Sequence, residues 1–160
     1  MSQGQEALEV LAVRTQLVDA VVGYAVALDA RDWGAYRALF EDEIEVDYAS
    51  LGSIHAVMDA QVWVDRCKVL GAFDATHHKV SNFRVAVDGD SATVTSYVDA
   101  AHFIGDLQGF VQGTYIHRFR RRAEGWKVFA CTLHVAGYPG GRPAFDAAFA
   151  AARTAFGSPT

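Results

Sequence analysis

The chain has 160 residues, 51% of them hydrophobic and 12% aromatic, and a net charge of −5 from 14 Lys+Arg against 19 Asp+Glu. That is the size of one domain, residues 1–160, large enough to fold on its own core without a disulfide or a structural metal. The acidic balance argues against a nucleic-acid partner, which demands a basic face.

Absent motifs narrow the field. There is no Walker loop, no GxGxxG after a strand and no HExxH, so neither a nucleotide cofactor nor a metal is expected. Cys67 and Cys131 lack CxxC spacing and read as buried, reduced thiols. No uninterrupted run of 18 apolar residues occurs, so no membrane partner is expected. The start, Met1 to Glu6, lacks the basic and apolar regions of a signal peptide, which points to the cytoplasm.

From Glu6, Leu8, Leu11, Val18, Val22 and Ala25 recur at helical spacing, with Leu17, Val21, Tyr24 and Leu28 flanking them. Asp32 reads as the N-cap of a short helix over Trp33–Phe40. Glu43–Tyr48 alternates like a strand, and Asp59–Leu70 reads as a third helix with Val62, Trp63 and Cys67 inward. The period then changes to two. His77–Val87, Ala92–Ile104, Phe110–Arg122 and Trp126–Tyr138 read as four strands, with hairpin turns at Asp88-Gly89-Asp90 and Ala123-Glu124-Gly125. Ala144–Phe156 closes the chain as an amphipathic segment placed to cap a pocket or a neighbouring subunit. Helices first and a meander second give a segregated α+β domain.

Four polar positions stand out. Asp29 continues the stripe Val18, Val22, Ala25 by one turn, which puts a carboxylate in phase with a buried face, where it must be paired. His77 and His78 point to opposite faces of their strand, and parity alone does not choose between them. His78 shares its face with Val80 and Asn82. His102 ends a row of small residues, Ala92, Val94, Ser96, Val98 and Ala100, and so borders any cavity they leave. Tyr48, at the end of its strand, offers a hydroxyl. His117 and His134 fall in phase with core residues and read as structural. A carboxylate beside an imidazole holds one tautomer and raises its basicity, which equips histidine for proton abstraction near neutral pH.

At these residues the sequence resembles the SnoaL-like branch of the NTF2-like superfamily. The resemblance runs through Tyr24-Ala25-Val26-Ala27-Leu28-Asp29-Ala30-Arg31-Asp32-Trp33, Glu45-Val46-Asp47-Tyr48, Thr76-His77-His78, the His102 strand, Tyr115-Ile116-His117-Arg118-Phe119 and Glu124-Gly125-Trp126-Lys127-Val128. Within it the chain is most similar to scytalone dehydratases and hexachlorocyclohexane dehydrochlorinases. The resemblance implies an NTF2-like cone, a curved antiparallel sheet wrapped around the N-terminal helices with an internal pocket. It places the Asp–His dyad on Asp29 and His78, a second histidine on His102 and a tyrosine on Tyr48. The other family tyrosine is Leu28 here, with Tyr24 one turn away, and the later polar pair falls on Gly113 and Tyr115. Tyr24, Leu28, Asn82 and Tyr115 are therefore expected around the substrate.

The function this implies is a lyase of dehydratase type that needs no cofactor and acts on a small, apolar or aromatic cyclic substrate. His78 would take the proton, and His102 and Tyr48 would stabilise the developing charge or help water leave. Isomerase or cyclase chemistry on the same scaffold, or a non-catalytic module like a dioxygenase β-subunit with a pocket filled by side chains, are the alternatives. Sheets of this kind need covering and the resembling enzymes are trimers, so a homotrimer is expected in preference to a dimer.

Overall fold

The computed structural model describes residues 2–157. Helix α1 (Gln3–Ala30) opens with a capping box, in which the Ser2 hydroxyl accepts from the Gln5 amide and the Gln5 side chain accepts from the Ser2 amide. It buries Leu17, Val21, Tyr24 and Leu28, at spacings of four, three and four. The helix is therefore turned relative to the expected stripe: Leu8, Leu11 and Val22 are exposed, and Val26 joins them. Having one apolar row in the core and another uncovered gives α1 an 18-residue window of mean hydropathy 1.5, so that by length and composition alone it is long and apolar enough to cross a membrane. It ends where Arg31 takes a left-handed conformation (φ 59°), and the backbone turns into α2 (Trp33–Ala38), capped by the Asp32 carboxylate.

Strand β1 (Phe40–Asp47) starts inside the expected second helix. A short 3₁₀ turn, Ala49–Leu51, leads to β2 (His55–Asp59), which the sequence reading missed. Helix α3 (Ala60–Cys67) buries Trp63, Val64 and Cys67, while Val62 faces solvent at 51% exposure. The long strands follow: β3 (Ala75–Asp88), β4 (Ser91–Ile104), β5 (Leu107–Arg122) and β6 (Gly125–Gly137). Helix α4 (Arg142–Gly157) comes last.

The six strands form one sheet in the order β2-β1-β6-β5-β4-β3. All neighbours are antiparallel except β1 and β6, which run parallel, so the sheet is mixed rather than purely antiparallel as expected. The architecture is the expected α+β cone. α1 packs on β3, α4 lies over β5, and the inner face of the sheet holds the core with both thiols, Cys67 and Cys131, buried and free. Close packing of α4 depends on Gly109, because a Cβ there would lie 3.2 Å from the Ala148 Cβ and 3.3 Å from the Phe145 backbone.

Candidate active site

The end of α1 and the start of β3 meet at Asp29. Its Oδ2 accepts the His78 backbone amide at 2.8 Å, and its Oδ1 accepts the His78 ring Nδ1 at 2.7 Å and the Thr76 hydroxyl at 2.9 Å. A carboxylate only accepts, so Nδ1 carries the proton and Nε2 is left with a lone pair. Nε2 has no hydrogen-bond partner among the described residues, and His78 lines the cavity. Burial pushes the Asp29 carboxyl up, but the His78 ring, its amide and Thr76 outweigh that and hold it below the ordinary value. His77 points the other way into solvent.

Behind the carboxylate stands a relay that sequence reasoning did not find. Arg31 Nη1 donates to the Thr76 hydroxyl at 2.6 Å and to the carbonyl oxygens of Leu28 and Asp29 at 2.9 and 3.3 Å. The left-handed turn at Arg31 folds its side chain back over the helix end, where cations are favoured. Arg31 thus ties the last carbonyls of α1 to β3 through Thr76. The adjacency Asp29-x-Arg31 was visible, but nothing in the sequence paired either residue with Thr76.

The cavity encloses about 660 Å³ between α1, α3, α4 and the inner sheet face. The β4 row behaves as expected: every residue from Ala92 to His102 on that face is buried, and Val98, Ala100 and His102 line the cavity. The rings of His78 and His102 lie edge to face with centroids 5.3 Å apart. His102 Nδ1 lies 3.0 Å from the Gly109 carbonyl oxygen, so it carries the proton, and its Nε2 offers a lone pair. Burial, reinforced by His78, lowers the His102 pKa to about 4. This ring is a neutral acceptor near neutral pH, not the cation that stabilising negative charge would need.

Hydroxyl donors come from the opposite wall. Tyr24 and Tyr48 share a hydrogen bond of 2.6 Å between their oxygens, and the Tyr48 and Tyr115 rings stack at 6.4 Å. Burial raises all three phenol pKa values well above ordinary, so the hydroxyls stay protonated. Leu28 lines the same wall.

Asn82 does not belong to this wall. The β3–β4 register slips between Ser81 and Arg84, and Asn82 sits in the slip in a left-handed conformation (φ 55°), exposed to solvent. The bulge ends the alternation that carried His78 and Val80 inward, and asparagine is among the few residues that tolerate that backbone. A similar slip opposite Phe119 shifts the inward parity of β6 and leaves His134 exposed. At Gly113 a Cβ would collide with the His134 carbonyl, so this strand has no room for a polar side chain there.

His117 is fully buried behind Tyr24 and Tyr115, with centroids 4.7 and 5.3 Å away, and neither of its ring nitrogens has a hydrogen-bond partner among the described residues. Burial lowers its pKa to about 4. Among the described residues, no three His, Cys, Asp or Glu side chains converge in a way that could hold a metal ion.

The sequence model of the SnoaL-like domain matches residues 9–132, which include Tyr24, Asp29, Tyr48, His78, His102 and Tyr115. The chain belongs to the SnoaL-like domain family. An uncharacterised relative, Rv2910c of Mycobacterium tuberculosis, is 30% identical over 119 residues, 72% of this chain and 80% of its own. Among solved structures, this SnoaL-like domain superposes on Kfla4162 of Kribbella flavida with a TM-score of 0.78 at 23% identity, over 90% of this chain and 99% of that one. A Novosphingobium aromaticivorans protein provisionally assigned as a scytalone dehydratase gives 0.73 at 23% identity, over 81% of this chain and 87% of that one. The dehydrochlorinase LinA type 2 gives 0.72 at 19% identity, over 83% and 91%. At these identities the structural matches establish a shared fold. Helix α4 lies outside the matched family segment.

Proposed function

We propose that the protein is a lyase of dehydratase type that uses His78 as its base. The observation that carries this reading is the Asp29–His78 hydrogen bond beside an open cavity. Asp29 fixes the tautomer that turns Nε2 to the substrate, and it stabilises the imidazolium once a proton arrives. A substrate carbonyl against the Tyr24–Tyr48 pair would receive a hydrogen bond as enolate charge develops, in a site whose apolar walls strengthen that bond. His78 removes the proton from the neighbouring carbon. The electrons of that C–H bond form the new double bond as the C–O bond at the next carbon breaks. The imidazolium returns its proton to the departing hydroxide, and water leaves. His102, as acceptor, would hold a substrate hydroxyl and so orient the ring. The dehydratase and dehydrochlorinase that share the fold support elimination as the reaction class.

A second reading, isomerisation, is compatible with the neutrality of His102. It leaves the site one proton carrier, which suffices for a shift between two carbons of one substrate. The open cavity argues against a non-catalytic module whose pocket is filled by side chains. The test is a panel of small cyclic β-hydroxy ketones, followed by the absorbance of the conjugated enone and by mass spectrometry of the product. Loss of 18 Da that disappears in His78→Ala supports elimination (the mass of water). An unchanged mass with a moved double bond supports isomerisation. Full turnover by a folded His78→Ala variant removes His78 from the mechanism in either case.

A further inference from the structure

The cavity has a charged end that the proton-transfer chemistry does not use. One face of α4, carrying Arg142, Phe145, Asp146, Phe149, Arg153 and Phe156, closes the space, and Arg66 of α3 lines it from the other side. Arg142 is already engaged, with Nε on Asp146 at 2.8 Å, Nη1 on the Tyr138 hydroxyl at 2.9 Å and Nη2 on the Leu51 carbonyl at 3.3 Å. Asp146 is thereby neutralised. Arg66 and Arg153 have neither an ion pair nor a hydrogen bond among the described residues, and both are exposed while still lining the cavity. Being exposed, they mark the side of the cavity that meets solvent, and Val69, Phe149 and Phe156 line the same cavity.

Two guanidinium groups without an ion pair thus line the exposed side of the cavity in a chain of net charge −5. Guanidinium is the side chain that matches carboxylate and phosphate oxygens with paired donors. We propose that the natural substrate is amphipathic: its apolar ring enters toward His78, and an anionic tail, carboxylate or phosphate, stays at the mouth between Arg66 and Arg153. This rests on the cavity being the substrate site.

The experiment compares three probes by calorimetry at low salt: 6-(2-naphthyl)hexanoate, its primary amide, and 5-(2-naphthyl)pentyl phosphate. The expected result is that at least one anion binds about tenfold or more tighter than the amide. That ratio should shrink as salt is raised, fall to about one in the R66Q/R153Q variant and drop below one in R66E/R153E. Whichever anion gains more identifies the tail as carboxylate or phosphate. Equal binding of amide and anions by the wild type, or a ratio that persists in R66Q/R153Q, overturns the anionic tail while leaving the cavity as the site. Binding of none of the probes overturns both. Turnover by His78→Ala bears on the lyase reading separately.

Discussion

The Asp29 carboxylate holds both the backbone amide and the ring Nδ1–H of His78, so one side chain fixes a strand and the imidazole that strand carries. Asp29→Asn would keep the shape but point an NH₂ at one of those donors. Turnover is expected to fall by about 10²–10⁴-fold, the usual worth of a positioned base, with the circular dichroism spectrum unchanged. Because the Asp29 pKa is lower in the folded chain, its contribution to stability is present above about pH 4 and is lost as pH falls below that.

Thr76 passes the influence of Arg31 to the carboxylate. Thr76→Val removes one donor from Asp29, and a hydrogen bond to a charged group is worth about 1.5–3 kcal/mol. The Asp29 titration, followed by carbon NMR of the carboxyl, is expected to move up, and turnover to drop about tenfold. Thr76→Ser should restore both. An unmoved titration would reduce Thr76 to a packing residue.

His102 and His117 make the fold sensitive to acid. Both folded-state values are about 4, below the unfolded value of about 6.5. The unfolded chain therefore binds more protons between those limits, so stability is full above about pH 6.5 and falls as pH drops toward 4. The urea midpoint is expected to be flat from pH 8 to 7 and then to decline. His117→Leu should shallow that decline and leave the midpoint at pH 7 undiminished, because it removes two buried nitrogens that have no partner.

Gly109 sets how closely the cap can lie. Gly109→Val would push Phe145 and Ala148 away, an overpacking that costs about 1–3 kcal/mol. Limited proteolysis is expected to cut within 142–157 faster than in the wild type while the sheet stays intact. Equal cutting rates would show that the cap is held without this contact.

The long strands and the row ending in His102 were legible because β4 has no bulge, and alternation then determines every side chain's direction. Asp29 was legible through Ala25, one turn before it and buried, although the N-terminal part of the same stripe is not. Of the stripe Leu8, Leu11, Val18, Val22 and Ala25, Leu8, Leu11 and Val22 face solvent, Val18 is half-buried and Ala25 is buried, and the flanking row Leu17, Val21, Tyr24 and Leu28 carries the core. A helix apolar on two sides gives no way to choose between them from spacing alone. Asn82 was misplaced because one extra residue in β3 breaks period two, and β2 was missed because five residues form too short a pattern. The tautomer of His102 is set by a carbonyl seven residues away across a hairpin, and its neutrality by burial beside His78; no local pattern exists for either.

His78 and its carboxylate partner Asp29 sit on β3 and α1, whereas one wall of the cavity comes from a terminal helix beyond the matched family segment. One wall of the cavity is thus carried by a stretch of chain separate from the one that holds the Asp29–His78 pair. Exchanging the last twenty or so residues between relatives would be expected to redirect which molecules enter the cavity while the Asp29–His78 hydrogen bond is inherited intact.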